Sequence, residues 1–451
     1  MPHQPFHYRS LAELIAERDA LGLSLALQED LSPLAQPLCI GDMTAPNRLA
    51  IQPMEGCDGT LAGRPDTLTT RRYLRFAGGG AGLLWFEATA IAPEARANPR
   101  QLLLTAETEA AFAQLRQRAL EEAQRVSGSA FRPFTVIQLA HSGRYSRPGE
   151  RPAPIIAHHD GLLDQAMGIP ADYPLISDEA LDRLQETYVE AVRLALQAGF
   201  DGVDIKACHR YLISELLAAH TRPGRYGGSF ENRTRFLLET VRRVRAEVPQ
   251  ARITLRLNVY DGHPYPWGWG VSREDPAVPD LREPLQLIRL LLEAGVTLVN
   301  VTAGNPYYTP HINRPFDQNV IGGYRPQEHP LEGVARILGL ARAVKEAVPG
   351  MLVLASGVSW LRQYLGNAAV ALVAEGAADL VGLGRMAFAC PDLPRDLLAG
   401  RAPDPDRMCV TCSRCTQIMR DHGRSGCVPF DRTVYAPIYR EGRRAARERQ
   451  A

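Results

Sequence analysis

Two stretches near the end of the chain, M-L-V-L-A-S-G-V-S-W (351–360) and A-D-L-V-G-L-G-R-M (378–386), decide the reading of the fold. Each is a short Val/Leu run that reaches a glycine and then changes to helical composition, as a buried strand does when it feeds a tight turn and a helix. Working back toward the N-terminus, the same unit recurs. Apolar runs of strand length stand at 49–54, 82–91, 134–139, 202–206, 253–259, 298–302, 352–356 and 380–383, and helix-like segments such as 181–198 and 288–294 separate most of them. Eight such runs are what an α/β fold of the (β/α)8 TIM-barrel type requires. A doubly wound sheet also alternates, but more often with five or six strands and a nucleotide fingerprint after the first. Here Gly78-Gly79-Gly80-Ala81-Gly82 precedes an apolar run instead of opening a helix after one, the wrong order for a dinucleotide turn.

Outside the barrel, expected over 38–395, residues 1–37 read as a helical N-terminal extension. Ser10-Leu11-Ala12-Glu13 opens a capping pattern there, and Leu14, Ile15 and Leu21 follow at helical spacing. Residues 396–451 hold a cysteine cluster and end in an arginine-rich tail (440–451) expected to be frayed or partner-facing.

The 451 residues are 45% apolar and 22% charged, ordinary for a globular chain. The net charge of +1 predicts neither nucleic-acid nor membrane-surface binding. No apolar stretch is long enough to span a bilayer, and the first ten residues lack a leader pattern, so a cytoplasmic location is expected. Only Lys206 and Lys345 are lysines; arginine supplies nearly all the positive charge. A lysine retained in such a chain invites a functional reading.

In a barrel of this type the residues just past the strand C-termini converge on one mouth. They are Pro53-Met54-Glu55, Glu87-Ala88-Thr89, Gln138 to Arg144, Lys206-Ala207-Cys208-His209-Arg210-Tyr211, Arg256, Ser356-Gly357 and Gly384-Arg385. Glycine turns after the seventh and eighth strands are where such barrels bind phosphate through backbone N–H groups, and Arg385 adds charge-assisted hydrogen bonds. Two ordinary tight turns are the alternative.

These residues carry a resemblance. N-R-L-A-I-Q-P-M (47–54), Q-L-A-H-S-G-R (138–144), G-F-D-G-V-D-I (199–205), Y-G-G-S-F-E-N-R-T-R-F (226–236) and G-L-G-R (382–385) resemble the old yellow enzyme family of FMN-dependent oxidoreductases, especially its iron–sulfur branch. The likeness runs from about Leu38 to Cys427. It implies FMN in the mouth, with Pro53, Met54 and the Ala88 backbone against the ring and Gln138 on its pyrimidine edge. Arg256 is implied beside N1/O2, where reduction places negative charge, with Ser356, Gly357, Gly384 and Arg385 at the phosphate. Tyr211 matches the family's proton donor, a phenol of ordinary pKa near ~10, and NADH or NADPH is the expected electron donor.

The sequence departs from the family beside that tyrosine. The pair that commonly holds the substrate's activating oxygen, a His with a second His or Asn, is here Lys206 and His209. Glu55 takes the place often filled by Thr or Cys near flavin C4=O. Either Lys206 and Glu55 lie close and compensate each other, or Lys206 binds an anionic substrate group. A Schiff-base role for Lys206 has no other support. His141 is expected to be a fixed, hydrogen-bonded histidine and Cys57 and Cys208 small buried side chains. Tyr307, Tyr308 and His311 are either pocket residues or ordinary loop residues.

Cys409-x2-Cys412-x2-Cys415-x11-Cys427 suits a four-iron, four-sulfur cluster with three ligands on one loop and a remote fourth. All-cysteine zinc is the rival, although structural zinc usually shows two separated C-x2-C pairs. Larger members of the branch continue into a flavodoxin-like or nucleotide-binding region. The sequence to 451 shows none, so the expectation is a separate electron-transfer protein, or a mainly structural cluster, in a homo-oligomer.

The resulting reading is an FMN- and iron–sulfur-dependent oxidoreductase acting on an activated C=C bond of a small, anionic or neutral substrate. Amine dehydrogenation or demethylation, with electrons leaving through the cluster, is the alternative. A barrel that has lost redox chemistry and serves only as a binding subunit is the third.

Overall fold

The computed structural model describes residues 2–449; Met1 of the N-terminal extension and the last two residues of the basic tail, Gln450 and Ala451, lie outside them. Eight parallel strands close into a barrel: β1 Leu49–Ile51, β2 Leu83–Ala90, β3 Phe134–Ala140, β4 Gly202–Ile205, β5 Ile253–Tyr260, β6 Val296–Ala303, β7 Leu352–Ala355 and β8 Leu380–Leu383. Closure is completed where β8 pairs with β1, Val381 opposite Leu49 and Leu383 opposite Ile51. All eight expected runs are strands of this barrel. They form because each is buried on both faces, the condition under which continuous Val/Leu/Ile runs outcompete helix.

The barrel is layered along its axis. An antiparallel hairpin, Leu38–Ile40 with Met43–Ala45, packs Leu38, Ile40 and Ala45 against Leu83, Trp85, Phe134, Val136, Leu298 and Leu354 in one apolar cluster. Above it lies a polar layer. Gln52 and Asn300 exchange hydrogen bonds at 3.2 and 2.9 Å, and Asp204 accepts from Trp85 Nε1 at 2.9 Å and from Gln138 Nε2 at 2.5 Å. Gly382 makes room for this layer, since a Cβ there would stand 2.1 Å from Gln52 Nε2. The polar layer faces the mouth.

The glycine run at 78–82 ends the helix Thr67–Ala77 and enters β2, the reverse of the strand-to-helix order of a dinucleotide turn. The N-terminal segment contains the expected helix, Leu11–Ala20, capped by Ser10, whose hydroxyl accepts from Glu13 N at 3.2 Å. The residues before it are extended and lie on the loop after β6, where Phe6 N donates to Asp317 Oδ1 at 3.1 Å and Tyr8 is buried. The expectation of a frayed C-terminal tail is corrected. Arg432–Glu448 is one helix, held because Arg443 pairs with Asp421 at 2.8 Å and Asp431 with Arg71 and Arg75 at 2.7 and 2.5 Å. No helix among the described residues is long and apolar enough to cross a membrane.

Candidate active site

A cavity of about 450 Å³ opens at the strand C-termini. Pro53, Met54 and Glu55 reach it from β1, Gln138 from β3, Lys206, His209 and Tyr211 from β4, Arg256 from β5, and Arg385 from the turn after β8. Of the residues expected at the cofactor, Ala88, Ser356, Gly357 and Gly384 do not line this cavity, and Gly357 and Gly384 are partly exposed. Ala88 packs under Tyr211, and its carbonyl accepts from Gln101 Nε2 at 2.9 Å. The turns after β7 and β8 are tied together, Met386 N donating to Ser359 Oγ at 3.3 Å.

The turn after β4 is strained. His209 and Arg210 both take left-handed conformations, φ +64° and +58°, each at a cost on the order of 1 kcal/mol. Buried Arg210 holds the turn by pairing with Asp160 at 3.0 Å and Asp261 at 3.3 Å. The result sets Tyr211 at the head of the helix Leu212–Leu217, with its ring on the cavity wall.

Around that ring, Lys206 Nζ lies 3.4 Å from Glu55 Oε1 and 3.6 Å from the ring centroid, and the Tyr211 hydroxyl donates to Glu55 Oε1 at 3.2 Å. Burial first, then Glu55 and Tyr307, pushes the Tyr211 phenol well above its usual range. The expectation of an unperturbed phenol is corrected on that ground. Burial, Arg256, Lys206 and Arg314 together keep the His209 imidazolium well below its ordinary range. Asn313 Nδ2 faces His209 Nε2 at 3.1 Å and also donates to the Ala303 carbonyl at 2.9 Å, so Nε2 accepts and the imidazole proton rests on Nδ1. His141 is fixed as expected, its Nδ1 accepting from Gly143 N at 3.1 Å. Cys57 and Cys208 are buried. Tyr307 lines the cavity; Tyr308 packs on His263, and His311 bonds Tyr324.

The orphaned cations of the site test the fit to FMN. Arg256 Nε, both terminal nitrogens of Arg314 and Arg385 Nη1 are buried without a hydrogen-bond partner among the described residues. Burial and the neighbouring Arg385 push Arg314 down to about 10. Guanidinium groups desolvated without a carboxylate are costly unless an anion joins them, and a phosphate is such an anion. Gln138, its amide nitrogen committed to Asp204, keeps its carbonyl oxygen as an unused acceptor. These residues fit FMN. Arg314 escaped the sequence reading because it lies on the irregular loop after β6, where no periodicity marks it.

Cys409, Cys412, Cys415 and Cys427 face one small pocket, and Arg385, Phe388 and Cys415 line both that pocket and the large cavity. Among the described residues no three His, Cys, Asp or Glu side chains converge on a single metal position.

Residues 33–265 match the family model described as NADH:flavin oxidoreductase / NADH oxidase. The chain is 28% identical over 391 residues to an NADH oxidase of Thermoanaerobacter brockii, covering 83% of this chain and 52% of that one. It is 32% identical over 283 residues to an NADPH dehydrogenase of Bacillus pumilus (strain SAFR-032), covering 60% and 73%. Among solved structures it resembles a 2-naphthoyl-CoA reductase in complex with 2-naphthoyl-CoA, with a TM-score of 0.65 and 22% identity over 86% of this chain and 54% of that one. The chain thus spans about half the length of the first and third of these proteins.

Proposed function

The chain belongs to the NADH:flavin oxidoreductase / NADH oxidase family, and from that premise we propose that it reduces an activated C=C bond of a small substrate, with a four-iron, four-sulfur cluster beside the flavin. Membership makes it a flavin-dependent oxidoreductase using NADH or NADPH. Bound FMN would supply the hydride-transfer chemistry between a nicotinamide and the substrate. The remaining chemistry belongs to the chain's own side chains.

Arg314 and Arg385 would hold the FMN phosphate, and Gln138 would accept from the flavin's pyrimidine edge. Arg256 supplies fixed positive charge on the side where negative charge develops. Tyr211 donates the proton that accompanies the hydride, and its raised pKa keeps the phenol loaded at neutral pH. His209 Nδ1–H and the Lys206 ammonium hold the activating oxygen or an anionic group of the substrate, with Glu55 setting the position of both Lys206 and Tyr211. The observation that carries the reading is the placement of the Tyr211 phenol in one cavity with the orphaned arginines. The wall shared between cavity and cysteine pocket supports a cluster that exchanges electrons with the flavin and with a separate carrier protein.

The test combines an absorption spectrum with flavin, iron and sulfide analysis, before and after NADH or NADPH, and assays against enones and N-methyl amines with and without an artificial acceptor. Tyr211→Phe is expected to lower enone reduction by about 10²-fold or more, and Lys206→Met to raise KM strongly. Amine oxidation without enone reduction would replace the reading by amine dehydrogenation or demethylation. A purified protein that binds no flavin would leave only a binding subunit.

A further inference from the structure

Tyr211 is not alone on its side of the cavity. Its hydroxyl lies 3.0 Å from that of Tyr307. Both line the cavity, but Tyr211 is 1% exposed and Tyr307 43% exposed, so Tyr307 is the more open side chain of the two. Tyr307 is held in place from two directions. Its backbone N–H donates to Asn305 Oδ1 at 3.0 Å, and its ring stacks on Tyr145 with centroids 4.0 Å apart. Tyr145 is itself anchored, its hydroxyl accepting from Asn305 Nδ2 at 2.7 Å. Asn305 thus positions both rings, more than a loop tyrosine with no task would need.

Resting on the reading of Tyr211 as proton donor, we propose that Tyr307 is a relay residue that returns a proton from solvent to Tyr211 after each turnover. The balance is one proton per cycle. The Tyr211 O–H bond breaks as a C–H bond forms on the substrate. The phenolate left behind takes the proton of the Tyr307 hydroxyl, and Tyr307 takes its replacement from water. No electron moves along the pair. Lys206, 3.6 Å from the Tyr211 ring, stabilises the transient phenolate. Glu55, paired with Lys206, accepts from the phenol and orients it.

The experiment uses the holoenzyme and Tyr307→Phe, which keeps the stacked ring and removes only the hydroxyl. Mixed after pre-reduction with one equivalent of a simple cyclic enone, the variant should complete its first turnover at the wild-type rate, because Tyr211 starts protonated. Steady-state turnover should fall by about 10-fold, with a larger solvent isotope effect in D2O. In substrate-free protein labelled with 13Cζ-tyrosine, the resonance lost in Tyr211→Phe should shift in Tyr307→Phe. An unchanged steady-state rate and isotope effect in Tyr307→Phe, with Tyr211→Phe disabled, would mean that Tyr211 reloads directly from water. A first turnover slowed as much as the steady state would make Tyr307 a purely structural residue. Wild-type activity in Tyr211→Phe would remove the underlying reading, and the relay with it.

Discussion

His141 shows how a single residue couples the site's foundation to pH. It stands at the end of β3, 3% exposed, with Nδ1 accepting from Gly143 and its carbonyl accepting from Leu212 N at 3.1 Å. Burial pushes its imidazolium down to about 4 from an ordinary 6.5. The unfolded chain therefore binds this proton more readily than the folded one. Stability is intact above pH ~6.5 and is lost as pH falls toward ~4, by roughly 3 kcal/mol from this group alone. In urea denaturation His141→Gln is expected to lose less stability over that window than the wild type; identical pH profiles would show that His141 takes up its proton equally readily in the folded and unfolded chain. At Tyr211 the same burial acts in the opposite sense, raising the phenol, because there the charged form is the deprotonated one.

Among the elements, turns and close approaches carry more information than the strands. The helix after the third apolar unit, expected over 181–198, runs Asp178–Gln197, because Ser177 caps it by accepting from Ala180 N at 3.2 Å. The glycine run before β2 exists for packing. A Cβ on Gly79 would stand 1.9 Å from the Pro391 carbonyl oxygen, a backbone atom with little freedom to yield. Gly79→Ala should therefore destabilise the fold by about 3 kcal/mol, read as a lower denaturation midpoint with an unchanged slope. Near-wild-type stability would mean that the 390–392 turn moves aside. The two left-handed residues before Tyr211 are a similar case, since neither is glycine and the sequence carries no sign of the strain.

Across the whole molecule, the cavity and the cysteine pocket meet at Arg385, Phe388 and Cys415, while Cys427 lines the pocket and not the cavity. Cys427→Ser should cut iron and sulfide content sharply while flavin content holds, measured by metal, sulfide and flavin stoichiometry. Zinc in place of iron, or iron unchanged, would overturn the cluster assignment. The sequence by itself determined the barrel, the order of its strands, the residues presented at their ends and the spacing of the four cysteines. These are local properties: burial writes itself as runs of Val, Leu and Ile, tight turns as glycine, and a ligand loop as short intervals between thiols. Only the tertiary structure decided that Glu55 meets Lys206 across 151 positions, that Tyr307 comes to face Tyr211, and that the terminal nitrogens of Arg314 lie buried near Arg385 without a partner among the described residues. Whether a charged or phenolic group finds a partner depends on barrel closure and on an irregular loop folding over it, and neither leaves a periodic trace in the chain.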